Sequence, residues 1–161
     1  MATQARDTAP HYQQSHIGYN YRLSNVLACI GRGQLCVLED RVNARRTNFD
    51  FYKKALDGLP GIQFMPEVEF GRSNRWLTYL TIEPSKSGFS REVVRLALEA
   101  ENIESRPVWK PLRLQPVFQD CPYYGSGVAE ELFDKGICLP SGSSLTREDM
   151  QRVVNVFSAG I

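Results

Sequence analysis

Residues 24–60 read SNVLACIGRGQLCVLEDRVNARRTNFDFYKKALDGLP, and the fold turns on this stretch. Ser24 is of the type that caps a helix N-terminus, because its hydroxyl accepts from a backbone N–H of the first turn. Gly58 followed by Pro60 is a stop. Between them Leu35, Leu38, Val42, Phe49, Tyr52 and Leu56 recur at spacings of three and four, interrupted only by Arg45. That periodicity is one face of an amphipathic helix. It predicts a single long helix over 24–58, packed against its own domain or against another chain. Gly31 and Gly33 fall inside the helix, each at a cost of about 1 kcal/mol against alanine. Either a long helix tolerates them or another backbone approaches there. Arg41, Arg45 and Arg46 read as a solvated face.

Beyond Pro60 the pattern shortens. Residues 61–64 and 75–82 read as strands, the second rich in aromatic and β-branched residues and ended by Pro84. Ser90 caps a helix to about 101, a third strand covers 103–108, and the proline-rich run 109–124 is a loop. A short helix at 129–133 and a short strand or extended turn at 137–139 follow. Thr146 with Asp149 forms a capping box for a terminal helix reaching 157. Helices and strands mix without βαβ repetition, which predicts an α+β domain: a long N-terminal helix plus a small, mostly antiparallel sheet flanked by helices. Residues 1–23 form an irregular polar lead ahead of the domain proper, 24–161. So long a lead is expected to dock on something.

The 161 residues suit one domain; 42% are apolar, 23% are charged, and the net charge is +1. There is no basic excess to hold nucleic acid. The polar N-terminus does not read as a signal peptide, and nothing approaches the roughly 18 apolar residues of a membrane span. The expected location is the cytoplasm. Cys29, Cys36, Cys121 and Cys138 form no CxxC pair and have no partnering histidines, so they read as buried or semi-buried thiols, with no metal site.

Self-sufficient catalytic signatures are missing: no G-x-S-x-G, no phosphate-binding glycine loop, no H-E-x-x-H. His11 and His16 lie in the lead, and Glu130 and Glu131 are adjacent on a helix and point apart. Two stretches carry chemistry. HIGYNYRLSN, residues 16–25, brings Tyr19, Asn20, Tyr21 and Arg22 to a helix N-terminus, where anions are favoured. The alternative is packing tyrosines, a turn asparagine and an ion-paired arginine. SRPVWKPLRLQPVF, residues 105–118, sets Trp109 among Arg106, Lys110 and Arg113. It suits a nucleotide or phosphorylated sugar, or else is a surface loop with an anchoring tryptophan.

Taken together, GYNYRLSN, the following ACIGRGQL, RPVWKPLRLQPVF and LFDKGICLPSGSSLT-x-ED resemble the C-terminal domain of the DegT/DnrJ/EryC1/StrS family of PLP-dependent sugar aminotransferases. The similarity is greatest to members that aminate UDP-linked 4-keto sugars in bacillosamine- and legionaminate-type pathways, and it runs from about Gln4 to the end. It implies the small domain of a fold-type-I aminotransferase, within a homodimer whose active sites are shared. It implies that Asn20 reaches the PLP phosphate of the other subunit, with Tyr19 and Arg22 beside it. Trp109, Lys110 and Arg113 would then lie towards the UDP-sugar. Arg113 stands where relatives commonly carry histidine, which exchanges protons near neutral pH as arginine does not. The family's N-terminal PLP domain, with its Schiff-base lysine, has no counterpart here: Lys53, Lys54, Lys86, Lys110 and Lys135 all lack its sequence context. The resemblance thus implies part of an enzyme that moves an amino group, from glutamate, to a 4-keto sugar nucleotide. PLP is its cofactor when complete, and none is expected on this chain alone. The competing expectation is a stand-alone interaction or dimerisation module. The lead is expected to be mobile or lent to a second copy; a lead burying Tyr19 and Asn20 in its own chain would favour the module.

Overall fold

A computed structural model describes residues 6–19 and 23–158. The element order is α1 (Asn25–Leu35), α2 (Leu38–Leu56), β1 (Ile62–Phe64), β2 (Thr78–Ile82), α3 (Pro84–Ser87), α4 (Arg91–Ala100), β3 (Arg106–Pro107), 3-10 turns at Leu112–Leu114 and Pro116–Phe118, α5 (Val128–Lys135), β4 (Gly136–Leu139) and α6 (Arg147–Ser158). This is the expected α+β domain with an antiparallel sheet, in the order β1-β2-β4-β3.

The predicted long helix is two helices. At Cys36 and Val37 the backbone tightens to bonds from Cys36 N to Gly33 O and from Val37 N to Gln34 O, 3.3 and 3.2 Å. No glycine or proline marks this break; Val37 begins α2 without a side-chain cap. The apolar stripe divides with it. Phe49, Tyr52 and Leu56 are buried, whereas Leu35 and Leu38 are exposed.

Pleating puts alternate residues of a strand on opposite faces. Leu80 and Ile82 of β2, Ile62 and Phe64 of β1, and Ile137 and Leu139 of β4 form one core with α2, α4 and α6, through Tyr52, Val94, Leu98, Met150, Val153 and Phe157. β4, foreseen as a short strand or extended turn, is the inner strand between β2 and β3, and all four of its residues are buried. Gly136 is required there. A Cβ would sit 2.6 Å from both Tyr79 Cε2 and Val108 Cγ2, so only glycine lets these groups close over the strand.

The caps stand as the sequence predicts. Ser24 Oγ accepts from Leu27 N, Ser90 Oγ from Val93 N, and Thr146 and Asp149 bond reciprocally. β2 begins later than expected, because Arg75 adopts a left-handed backbone (φ 47°). β3 is only two residues long. Arg45 and Arg46 do not form a solvated face. Arg45 donates to the carbonyls of Trp76 and Ser141, while Arg46 donates to Glu67 and to Ser73 O. Three of the four cysteines, Cys29, Cys36 and Cys121, are exposed rather than buried, since α1 and the 119–127 loop are left uncovered by this chain; Cys138 is buried.

Candidate functional site

Residues 11–15 of the lead run along β3 and the strip that follows it, where Tyr12 meets Arg106 and Trp109, Gln13 meets Lys110 and Gln14 meets Gln115. Trp109 lies between two rings: Tyr12, centroid 6.3 Å away at 16°, and Trp76, 5.9 Å away at 28°. The Tyr12 ring also faces the guanidinium groups of Arg6 and Arg106, at 4.8 and 5.8 Å, and its hydroxyl accepts from Arg106 Nη1 at 3.2 Å. These contacts combine ring stacking with cation–π attraction. A cleft of about 290 Å³ opens beside them, walled by Tyr12, Trp76, Ser105, Trp109, Cys138 and Ser141 among others.

Of the residues singled out in the sequence, Trp109 and Lys110 meet the lead: Lys110 Nζ donates to Gln13 Oε1 at 2.9 Å. Arg113 turns away. It pairs with Glu130 of α5, which holds that carboxyl below its ordinary range and raises the guanidinium, and it lies 4.4 Å from the Tyr123 ring. Tyr19 is 70% exposed. Asn20 and Arg22 lie outside the described residues. Among the described residues of the lead, 11–15 dock on their own chain, through Phe133, Trp109, Lys110 and Gln115. Tyr12, Gln13, Trp76 and Gln115 are site residues that the sequence reading missed. Aromatic character marked Tyr12 and Trp76, but nothing local to either glutamine revealed its long-range partner.

Burial decides what the remaining groups can do. The Cys138 thiol is pushed up to about 11, and the Tyr79 hydroxyl beside it to about 12, both by desolvation, so both stay protonated at neutral pH. Neither is a nucleophile there. Lys135 is raised by its hydrogen bonds to Glu131 and Glu83. Among the described residues no group of three or more His, Cys, Asp or Glu could hold a metal ion. Among the described residues no helix is long and apolar enough to cross a membrane.

The profile of the DegT/DnrJ/EryC1/StrS aminotransferase family matches residues 2–158. The chain belongs to this family. It is 51% identical over 160 residues to the Bacillus subtilis (strain 168) protein named "Putative pyridoxal phosphate-dependent aminotransferase EpsN", covering 97% of this chain and 40% of that protein. It is 34% identical over 144 residues to the GDP-perosamine synthase of Escherichia coli O157:H7, covering 88% and 38%. The crystal structure of a DegT DnrJ EryC1 StrS aminotransferase from Brucella abortus superposes with a TM-score of 0.71 at 26% identity, covering 98% of this chain and 40% of that one. The chain thus spans about two fifths of the curated relatives it matches.

The described residues do not fit pyridoxal phosphate on their own. An imine-forming lysine must present a free amine, whereas Lys135 is ion-paired with Glu83 and Glu131 and Lys110 Nζ is engaged by Gln13. Lys53, Lys54 and Lys86 stand in solvent. These residues can supply a wall of stacked rings and cations, not the reacting group.

Proposed function

We propose that this chain forms the C-terminal part of a PLP-dependent aminotransferase that transfers an amino group, from glutamate, to a 4-keto sugar nucleotide in the cytoplasm. The lysine-bearing PLP half is supplied by a further segment, in a homodimer with shared sites. In the assembled enzyme Tyr19, Asn20 and Arg22 stand on the cofactor-phosphate side. Trp109 and Lys110 face the nucleotide sugar, with Arg113 at the edge of that surface.

The observation that carries this reading is α1. It buries no side chain, and Leu23, Val26, Leu27 and Ile30 at and near its start are at least half exposed. Apolar surface of this kind is uncommon on a free monomer and marks a contact face. Its position directly after Tyr19–Arg22 supports a partner segment covering helix and cofactor side together. The docking of residues 11–15 on their own chain is the observation that favours a self-contained module, but it leaves Tyr19 exposed and α1 uncovered.

The test is to mix the chain with an N-terminal half taken from a full-length relative, add PLP and glutamate, and assay amination of UDP-, GDP- and dTDP-linked 4-keto sugars. Amination by the mixture and by neither half alone is expected, with the UDP-sugar preferred. A stoichiometric borohydride-trapped PLP adduct at one lysine of the chain alone, with turnover, overturns the division of labour. An inert mixture whose halves nevertheless associate favours the interaction module.

A further inference from the structure

We propose that Gln115 is a positioning residue that keys the lead to the Trp109–Lys110 strip, so that the segment leading to Tyr19 and the segment bearing Lys110 are held as one surface. The importance of that surface for amination rests on the proposed function; the keying itself does not. Gln115 is 3% exposed although polar, and a buried amide is costly unless its hydrogen bonds are made. Here they are made to three places. Its Oε1 accepts from Gln14 N at 2.9 Å, while its Nε2 donates to Tyr12 O at 2.7 Å and to Lys110 O at 3.3 Å. One side-chain amide thus bonds residues 12 and 14 of the lead as a neighbouring strand would, and ties them to the backbone of Lys110.

The side chain is aimed by a rigid base. Gln115 lies between the two 3-10 turns with an extended backbone (φ −72°, ψ 133°). Its N–H donates to Leu112 O at 3.0 Å, and its C=O accepts from Phe118 N at 2.9 Å. Pro116 follows, and a residue before proline is restricted to extended conformations. With residues 12 and 14 fixed, the side chains of the lead are delivered to the strip: Tyr12 onto Trp109 and under Arg106, and Gln13 onto Lys110 Nζ. Tyr19 follows five residues after Gln14.

The experiment uses the 161-residue chain as wild type, Gln115→Ala and Gln115→Glu. It reads hydrogen exchange at the Gln14 amide and the near-ultraviolet circular dichroism of the Tyr12–Trp109–Trp76 stack. In Gln115→Ala the Gln14 amide is expected to lose about tenfold or more of its protection, the scale of one lost hydrogen bond. The ring signal should fall, while amides of β4 and α6 keep their protection. Gln115→Glu supplies the rescue. A protonated carboxyl has one donor and one acceptor and reproduces the bonds to Tyr12 O and Gln14 N; the ionised form has no donor. Docking in this variant is therefore expected below its carboxyl titration and lost above it, with the wild type docked at both pH values. Asp7, His11, His16, Glu104, Arg106 and Lys110 are common to wild type and variant, so the difference between the two belongs to residue 115. Retained Gln14 protection in Gln115→Ala overturns the proposal, as does pH-independent docking of Gln115→Glu. So does a loss of protection shared equally by β4 and α6, which would make Gln115 a general stabiliser. None of these measurements involves PLP or a sugar, so this proposal and the amination reading can fail separately.

Discussion

Helices α1 and α2 come from one continuous amphipathic stretch and meet opposite fates. The first carries a single charged residue, Arg32, and buries nothing. The second carries eight charged residues and buries Asn48, Phe49, Tyr52 and Leu56. The less polar helix is the uncovered one. Apolar content tells how much surface requires cover, while position relative to the sheet decides whether the same chain provides it. α2 lies against β2 and α6, and its polar side is drawn down by Arg45 to the carbonyls of Trp76 and Ser141. Past the tightened turn at Cys36–Val37, α1 has no sheet beneath it.

Truncating apolar side chains is the strongest way to break this comparison. Leu56→Ala, at a site 1% exposed, should destabilise the chain by about 2–5 kcal/mol, because a cavity adds to the lost transfer energy. Leu27→Ala and Ile30→Ala should stay within about 0.5 kcal/mol. Urea unfolding of the three variants reads the difference. Comparable losses in both helices would mean that α1 is packed on its own core in solution.

The contrast also shows what a sequence can disclose. Caps are local and were legible: Ser24, Ser90 and the Thr146–Asp149 box all stand where expected. The order of most elements was legible as well, but not the division of the long helix into α1 and α2 or the short α3. The inner place of β4 was not. Gly136–Leu139 is buried on both faces and so shows no alternation, and only pairing with Tyr79 and Arg106 on either side reveals its rank. Arg45 and Gln115 were opaque for the same reason. A polar residue in a periodic pattern looks solvated until its partner, 96 positions away for Arg45–Ser141 and 101 for Gln115–Gln14, is known. At the candidate site the motif picked out Trp109 and Lys110, but it could not show that Arg113 turns to Glu130.

A smaller effect sharpens the same comparison through polar groups. Asn48 Nδ2 donates to Gly142 O at 2.9 Å, joining α2 to the turn before α6. Asn48→Ala should cost about 0.5–1.5 kcal/mol, the net scale of one hydrogen bond, because Gly142 O keeps its bond from Leu145 N. Gln34→Ala on exposed α1 should cost nothing measurable in the same urea unfolding.

The clamp on the outer side of α2 gives a pH dependence that α1 lacks. Hydrogen bonding from Arg46, with Ser73 N–H and the charge of Arg75 adding to it, lowers the Glu67 carboxyl from 4.5 to about 2. Between those values the unfolded chain binds a proton that the folded chain refuses. The contribution is therefore complete above 4.5 and is lost as pH falls towards 2. Glu67→Gln should flatten the acid limb of the stability profile over that window and leave it unchanged near neutrality in slope. An unaltered acid limb would show that the clamp is not formed in solution.

The smallest expected effect decides the meaning of the two glycines. At both Gly31 and Gly33 an added Cβ would meet nothing within 4 Å among the described residues, so the close approach foreseen as one explanation is not made by them. Alanine at either position should favour the helix by about 0.5–1 kcal/mol, through reduced freedom of the unfolded backbone. Because α1 buries none of its residues, that gain should appear as higher far-ultraviolet helicity and slower exchange within 25–35, not as a shift in the unfolding midpoint of the α2 core. Association with a lysine-bearing partner segment reads the other half. If that segment's backbone runs against the glycine face, the methyl group that steadies the free helix obstructs the contact, and the affinity falls while the helicity rises. Equal affinities for glycine and alanine forms would mean that the helix merely tolerates its glycines and that the partner covers α1 through Val26, Leu27 and Ile30 instead.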